Sequence, residues 1–320
     1  MGNILHLDQF ALPTPTVFDP ERFDMSDLLL QVTASFNFKQ DSRVFVMGSC
    51  FAAEVRRALI GSGFAATDGG QGFKYNTFSM FQTLDWALND SFDERFLAPL
   101  EDGRYLDGHR HPSFVFPTAA SGALQHRIVL ERVRDEILSA DIVVLTLGLV
   151  EAWRDSVADV WLNETPPVKL LAQKNRFCVY PTTHTQNLDA FQALLLRLHE
   201  VNPACRVLCS VSPVPLKATF CGDDVLVANC YSKSTLRSVA SEAVQCLRKD
   251  HGMVIDYFPA FELSTLRPRD EVWCKTIRNN EPDGRHVRRD FVDGVIMKLF
   301  LDSYVESTSV TLPKRNALTS

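Results

Sequence analysis

Two potential nucleophiles stand side by side in Gly48-Ser49-Cys50-Phe51-Ala52, directly after the apolar run Arg43-Val-Phe-Val-Met-Gly48. The β-branched and aromatic make-up of that run predicts a buried strand. Apolar residues at helical spacing from Ala52 to Leu59 predict a helix behind it, closed by Gly61 and Gly63. A Ser or Cys at such a strand-to-helix turn faces unpaired backbone N–H groups and the positive end of the helix dipole. Both favour a thiolate, and both would stabilise an oxyanion formed at the same place. Gly48 lets the backbone turn tightly and a substrate approach. The plainer reading of the same residues makes Ser49 an N-cap and Cys50 a small buried filler.

Late in the chain, Asp283 precedes His286 by three positions, just ahead of the last apolar-periodic segment. On a loop, that spacing lets the carboxylate reach Nδ1 of the imidazole and fix its tautomer, leaving Nε2 for a nucleophile. Pro282-Asp283-Gly284 is also an ordinary turn, which would leave an exposed His. A nucleophile pair at a helix start and a late Asp/His pair together point to catalysis through a covalent acyl intermediate.

Other polar groups are candidates for binding. Asn229 and Lys233 are four apart on a predicted helix, so they share a face that either holds an acceptor hydroxyl or phosphate or is simply solvated. The loop around His286 is locally basic (Arg267, Arg269, Lys275, Arg278, Arg285, Arg288, Arg289), but interspersed acids leave a small excess, which would either suit an anionic glycan or coenzyme A or be ordinary surface charge. His109 and His111 form a His-x-His pair with no third ligand nearby, so no metal is expected.

The elements that must position these residues alternate. Helical patterns over Leu124–Ser139, Leu188–Val201, Asp224–Asp250 and about 288–304 are interleaved with strand patterns. The strands are Asp141–Leu147, Arg206–Val211 and Val254–Phe258, besides the one ending at Gly48. Such alternation implies a parallel sheet covered on both faces, with ligand sites beyond the carboxyl ends of the strands. Residues 1–40 read as an arm, 41–305 as a single α/β domain with turn-rich insertions at about 90–120 and 154–185, and 306–320 as a polar tail. If the insertions roof the site, Trp161 or Phe114 would supply an apolar wall.

Bulk properties narrow the class. With 46% hydrophobic residues among 320, a sizeable core can be buried, and a net charge of −6 argues against a general nucleic-acid binder. No apolar run is long enough to span a bilayer, and Met1–Pro20 lacks the basic-then-apolar order of a signal peptide. Met1-Gly2-Asn3 starts like a myristoylation signal, but His6 stands where Ser or Thr is wanted. Eight cysteines without a Cys-x-x-Cys pair suggest reduced thiols, hence a cytoplasmic protein.

Gly48-Ser-Cys-Phe-Ala52 resembles the name-giving motif of the bacterial GSCFA-domain family, in the SGNH (GDSL-like) hydrolase group. Further matching segments are Tyr75-Asn76, Leu145-Thr-Leu-Gly148 with Trp153, Ser212-Pro-Val-Pro215, Asn229 with Ser232-Lys233, Tyr257-Phe-Pro259 with Glu262, and Asp283 with His286. The likeness covers about 40–305. It implies a three-layer α/β/α sandwich around a five-stranded, mainly parallel sheet. It also implies a triad in which the nucleophile falls on Cys50 rather than Ser49, with His286 and Asp283 as partners. In the wider group a Gly-x-Asn-Asp block supplies an oxyanion donor, but here the stretch is Gly148-Leu-Val-Glu151, without Asn. Asn76 with the Cys50 backbone N–H is the substitute candidate, although Asn76 after Tyr75 also reads as an ordinary turn residue.

The expectation is an SGNH-type ester hydrolase or O-acyltransferase. Cys50 (or Ser49) would attack an ester or thioester, and water or a sugar hydroxyl would resolve the acyl-enzyme. Gly48, Asn76, Gly148, Trp153, Asn229 and Lys233 would line the oxyanion and substrate site. No cofactor is required; acyl-CoA is the candidate acyl donor, and a small molecule or glycan is the partner. The competing reading is a non-catalytic glycan-binding module that keeps the fold. The sequence sets no oligomeric state.

Overall fold

The computed structural model of the chain describes residues 30–306 except 93, 110–113, 167–169, 171–174 and 277–282. Most of the expected arm, the tail after Glu306, and His111 lie outside the described residues.

Strand β1 (Arg43–Gly48) runs into helix α1 (Cys50–Gly61), and the short strand β2 (Ala65–Thr67) follows. Helix α2 (Thr77–Asn89) leads to a small antiparallel sheet of β3 (Leu97–Pro99), β4 (Tyr105–Asp107) and β5 (Val115–Phe116). Helix α3 (Ala119–Ser139) precedes β6 (Ile142–Leu147). A second antiparallel sheet is built from β7 (Glu151–Asp155), β8 (Val160–Leu162) and β9 (Phe177–Pro181). Then come α4 (His184–Val201), β10 (Arg206–Val211), α5 (Val225–His251) and β11 (Ile255–Tyr257). Two short helices, α6 (Ala260–Thr265) and α7 (Arg269–Val272), are followed by α8 (Arg289–Phe291), a π-helical turn (Val292–Ile296) and α9 (Met297–Tyr304).

The main sheet has the order β2-β1-β6-β10-β11, and each neighbouring pair is parallel. Strand alternation divides its side chains between two cores. Phe45 and Met47 of β1 join Val143 and Leu145 of β6 and the apolar faces of α2, α3, α4 and α5. Val44 and Val46 join Ile142, Val144, Leu208, α1, and the α8–α9 region. The apolar runs read as buried strands are therefore covered on both faces, as the alternation of strand and helix requires. The architecture is an α/β sandwich with helices on both sides of a five-stranded parallel sheet.

Strand order reverses between β1 and β6. The chain leaves β1 towards β2 on one side and later returns to place β6 on the other. The carboxyl ends of β1 and β6, Gly48 and Leu147, therefore flank the crevice where ligands bind in open sheets of this kind.

Some local expectations change. Helix α1 begins at Cys50, two residues before the periodic pattern does. The two turn-rich insertions contain the antiparallel sheets β3–β5 and β7–β9, whose short strands lack a readable period. The last helical stretch is not uniform, because the π turn at Val292–Ile296 interrupts it. Residues before β1 are tied down at both ends of the sheet. Phe38 pairs with Val305, and Ser35 donates its N–H and hydroxyl to the buried Asp256 carboxylate at 2.8 and 2.6 Å. Among the described residues, no helix is long and apolar enough to cross a membrane.

Candidate active site

Ser49 and Cys50 divide the roles open to them. Ser49 has extended backbone, is buried, and accepts the Phe51 N–H on its Oγ at 3.3 Å, so its hydroxyl caps α1. Cys50 is the first residue of the helix and is half-buried. Its sulfur lies against the N–H groups of Phe51 and of Cys50 itself, which lower the thiol pKa. Arg285 and Lys233 lower it further through their charge, but burial is the largest influence and leaves the thiol above its ordinary value of 9.0. A helix start with two cations would by itself give an acidified thiol; desolvation reverses that expectation in the free protein.

The turn before Cys50 admits only glycine. Gly48 has φ +152°, and a Cβ there would fall on the backbone and side chain of Thr146 in β6. Opposite, a Cβ on Gly148 would stand 2.6 Å from the Tyr75 carbonyl oxygen and 3.3 Å from Cβ of Ser49. The ends of β1 and β6 and the chain at Tyr75 thus pack with no space for side chains. The Gly48 carbonyl accepts from the Lys74 N–H at 2.6 Å, and the Leu149 N–H donates to the Tyr75 carbonyl at 2.7 Å.

Asp283 and His286 form the expected pair. The imidazole Nδ1 lies 3.0 and 3.1 Å from the two carboxylate oxygens, and the His286 backbone N–H donates to the same carboxylate at 3.1 Å. The Asp283 side chain is 3% exposed and that of His286 40% exposed, so a sequestered acid orients an accessible ring. The same loop carries Arg285, whose charge acts on the Cys50 thiol. Arg285 is held by its own N–H to Asp283 at 3.2 Å and by Nη1 to the Pro215 carbonyl at 2.9 Å.

Lys233 does not present a solvated face. It is 2% exposed, and its Nζ donates to the Gly148 carbonyl at 2.7 Å. Burial lowers its pKa to about 7; the Cys50 charge opposes that shift and Arg285 adds to it. Asn229, one helical turn earlier, is half-buried and accepts the Leu216 N–H at 3.1 Å, so it braces the Ser212–Leu216 segment.

Asn76 is not free to serve an oxyanion. Its Oδ1 caps α2 by accepting the Ser79 N–H at 2.8 Å, and its Nδ2 donates to the Leu162 carbonyl at 3.0 Å. Trp153 lies in the core on β7 and packs edge-on against Phe220 with 5.2 Å between ring centroids. Trp161 stacks on Phe78 at 4.4 Å and meets Tyr180 edge-on. His109 is buried, with its ring nitrogens 2.9 Å from Gln82 Nε2 and from Thr83 Oγ1; burial holds it well below its ordinary pKa.

The profile of the GSCFA family matches the chain over residues 43–300. The protein belongs to the GSCFA family. No curated protein sequence matches it. In this GSCFA protein the name-giving motif is the turn between β1 and α1, with each residue in a distinct place. Gly48 passes Thr146, Ser49 caps, Cys50 opens the helix half-buried, and Phe51 and Ala52 enter the core beneath α1.

Two members of the GSCFA site were not singled out by residue type and spacing. Tyr75 turns its phenol to the Cys50 sulfur; burial first, then the Cys50 charge and a hydrogen bond between them, push its pKa up. Arg285 sits between Asp283 and His286, and its signals in the sequence are that position and its place in the basic stretch around His286. The Tyr75 N–H donates to Asn163 at 2.9 Å, so the β8 insertion sets the strand-end turn that carries the phenol.

Proposed function

We propose that this GSCFA protein is an acyl-transfer enzyme of the SGNH type, acting on esters or thioesters through an acyl-cysteine at Cys50. The observation that carries this reading is the placement of Cys50. It is the first residue of α1, beside the crevice between β1 and β6, with N–H groups and two cations acting on its sulfur.

Because burial leaves the sulfur protonated at rest, the reaction needs a base. His286, oriented by Asp283, takes the thiol proton as the sulfur attacks the acyl carbonyl. The tetrahedral oxyanion forms where the α1 N–H groups and the Lys233 charge act. Its collapse expels the alkoxide or thiolate leaving group, which receives the proton from His286. The C–S bond of the acyl-cysteine is then broken by water, giving an esterase, or by a sugar hydroxyl, giving an O-acyltransferase. Both outcomes use the same residues, and the acceptor that reaches the thioester decides between them.

The test is incubation with acyl-CoA and with p-nitrophenyl esters, followed by intact-mass detection of the adduct and mapping of its site. An acyl group on Cys50 that Cys50→Ala abolishes supports the reading. An adduct that survives in Cys50→Ala and is lost in Ser49→Ala overturns the assignment of the nucleophile. Absence of any adduct together with binding of a glycan favours a non-catalytic glycan-binding module.

A further inference from the structure

The crevice carries more positive charge than a thiolate needs. Lys233 and Arg285 both act on Cys50, and neither pairs with a carboxylate among the described residues. Lys233 has the Gly148 carbonyl as its hydrogen-bond partner, and Arg285 has the Pro215 carbonyl. The acid nearest in sequence to Arg285, Asp283, makes no ion pair with its guanidinium and spends its hydrogen bonds elsewhere. Its two oxygens take the His286 ring, the His286 N–H and the Arg285 N–H. One further acid, Glu164, acts on the Tyr75 phenol.

One cation offsets the thiolate that forms during the reaction, and the other is left over. Lys233 is sealed behind Gly148, so it serves the sulfur. Arg285 is half-buried, is anchored through one of its fork donors, and lies on the same loop as the accessible His286 ring. Its remaining donors suit a carboxylate or phosphate in planar, bidentate fashion.

We propose that the Cys50 site selects a substrate carrying an anionic group, carboxylate or phosphate, next to the reacting carbon, and that Arg285 is the residue that reads this charge. The proposal rests on Cys50 as nucleophile and goes beyond it by naming the substrate class. Arg285 is a specificity-determining residue here, acting on the part of the substrate that does not react.

Alkylation with two reagents of nearly equal size and different charge tests it. In each, the Cys50 sulfur forms a bond to the CH2 carbon, iodide leaves, and the thiol proton goes to solvent. Iodoacetate places a carboxylate beside the reacting carbon, and iodoacetamide a neutral amide. The exposed Cys230 is the internal reference in the same chain. The iodoacetate-to-iodoacetamide rate ratio, read by peptide mass spectrometry, should be about tenfold higher at Cys50 than at Cys230. Arg285→Gln should bring the two ratios together, and Arg285→Lys should keep most of the difference. Acetate and inorganic phosphate, added as competitors at constant ionic strength, separate carboxylate from phosphate recognition by which one protects Cys50.

Equal ratios at Cys50 and Cys230, or a Cys50 ratio unchanged in Arg285→Gln, would overturn the proposal. If Cys50 is inert to both reagents, the acyl-transfer reading fails, and Arg285 is judged by thermal shift instead. A larger rise in Tm with phosphate or acetate in the wild type than in Arg285→Gln supports the anion site, and an equal rise refutes it.

Discussion

The ammonium of Lys233 donates to the carbonyl of Gly148 at 2.7 Å from a position that is 2% exposed. A buried lysine held by one neutral acceptor is costly unless a negative charge appears nearby, and the neighbour that can supply one is the Cys50 thiol. The pair is balanced in two forms, neutral amine with thiol or ammonium with thiolate, which differ only in where one proton sits.

Lys233 should therefore make stability depend on pH. In the folded chain its pKa is lowered to about 7, against an ordinary value of 10.5. Between those values the unfolded chain binds more protons, so stability rises with pH, and the penalty is complete below about 7. Lys233→Met should be more stable than the wild type near pH 6, by on the order of a few kcal/mol, and the gap should close towards pH 10. Urea denaturation across that range checks this; a difference independent of pH would refute it. The same variant should need a higher pH for Cys50 alkylation, because one of the charges that pull the thiol down is gone.

Cys50→Ala should abolish acyl-adduct formation while the chain stays folded, at a modest cost in Tm, since the half-buried side chain also packs against the core beneath α1. Ser49→Ala should lower stability by about 1 kcal/mol through loss of the helix cap and retain the adduct at Cys50. Paired thermal melts and intact-mass spectra separate the two effects. The reverse pattern would transfer the chemistry to the serine.

Asp283→Asn should act on rate more than on fold. The carboxylate fixes the His286 ring through Nδ1, and an amide in its place can stabilise the wrong tautomer. Acylation should slow by roughly a hundredfold or more, with the largest loss where the imidazole must hold the proton. Single-turnover acylation followed by mass spectrometry measures it. A rate within a factor of two of the wild type would remove His286 as the base.

Asn76→Ala should behave as a structural variant. Both ends of its amide are engaged, in the α2 cap and with Leu162. The expected cost is on the order of 1–3 kcal/mol of stability, with the acylation rate per folded molecule retained. Loss of the acylation rate in a fully folded variant would return Asn76 to the oxyanion site.

Gly148→Ala tests the crevice wall. A Cβ there stands 2.6 Å from the Tyr75 carbonyl, so either the Tyr75 turn or the end of β6 must move. The variant should lose stability and also shift Cys50 reactivity, because Tyr75 and Lys233 are both tied to that wall. A crystal structure of the variant with the wall unmoved would contradict this.

The sequence by itself determined the parallel α/β core and the ends of β1, β6 and β10, because buried strands must be apolar on both faces and helices must repeat every 3.6 residues. It also placed the glycine turn at Gly48 and the pairing of Asp283 with His286, since both are local in the chain. The short strand β2 and the two antiparallel sheets were not legible, because strands of two to five residues leave little or no period to read. Only the tertiary structure decided which of the two nucleophiles caps the helix and which lies under the charges of Arg285 and Lys233. It also decided that Asn76 is engaged at both ends of its amide, that Lys233 is buried against Gly148, and that the Tyr75 phenol and the Arg285 charge act on Cys50. Those assignments depend on which distant elements pack together, since burial and charge at one residue are set by neighbours up to hundreds of positions away. A lysine spaced for an exposed helix face becomes a sealed cation once β6 lies across it.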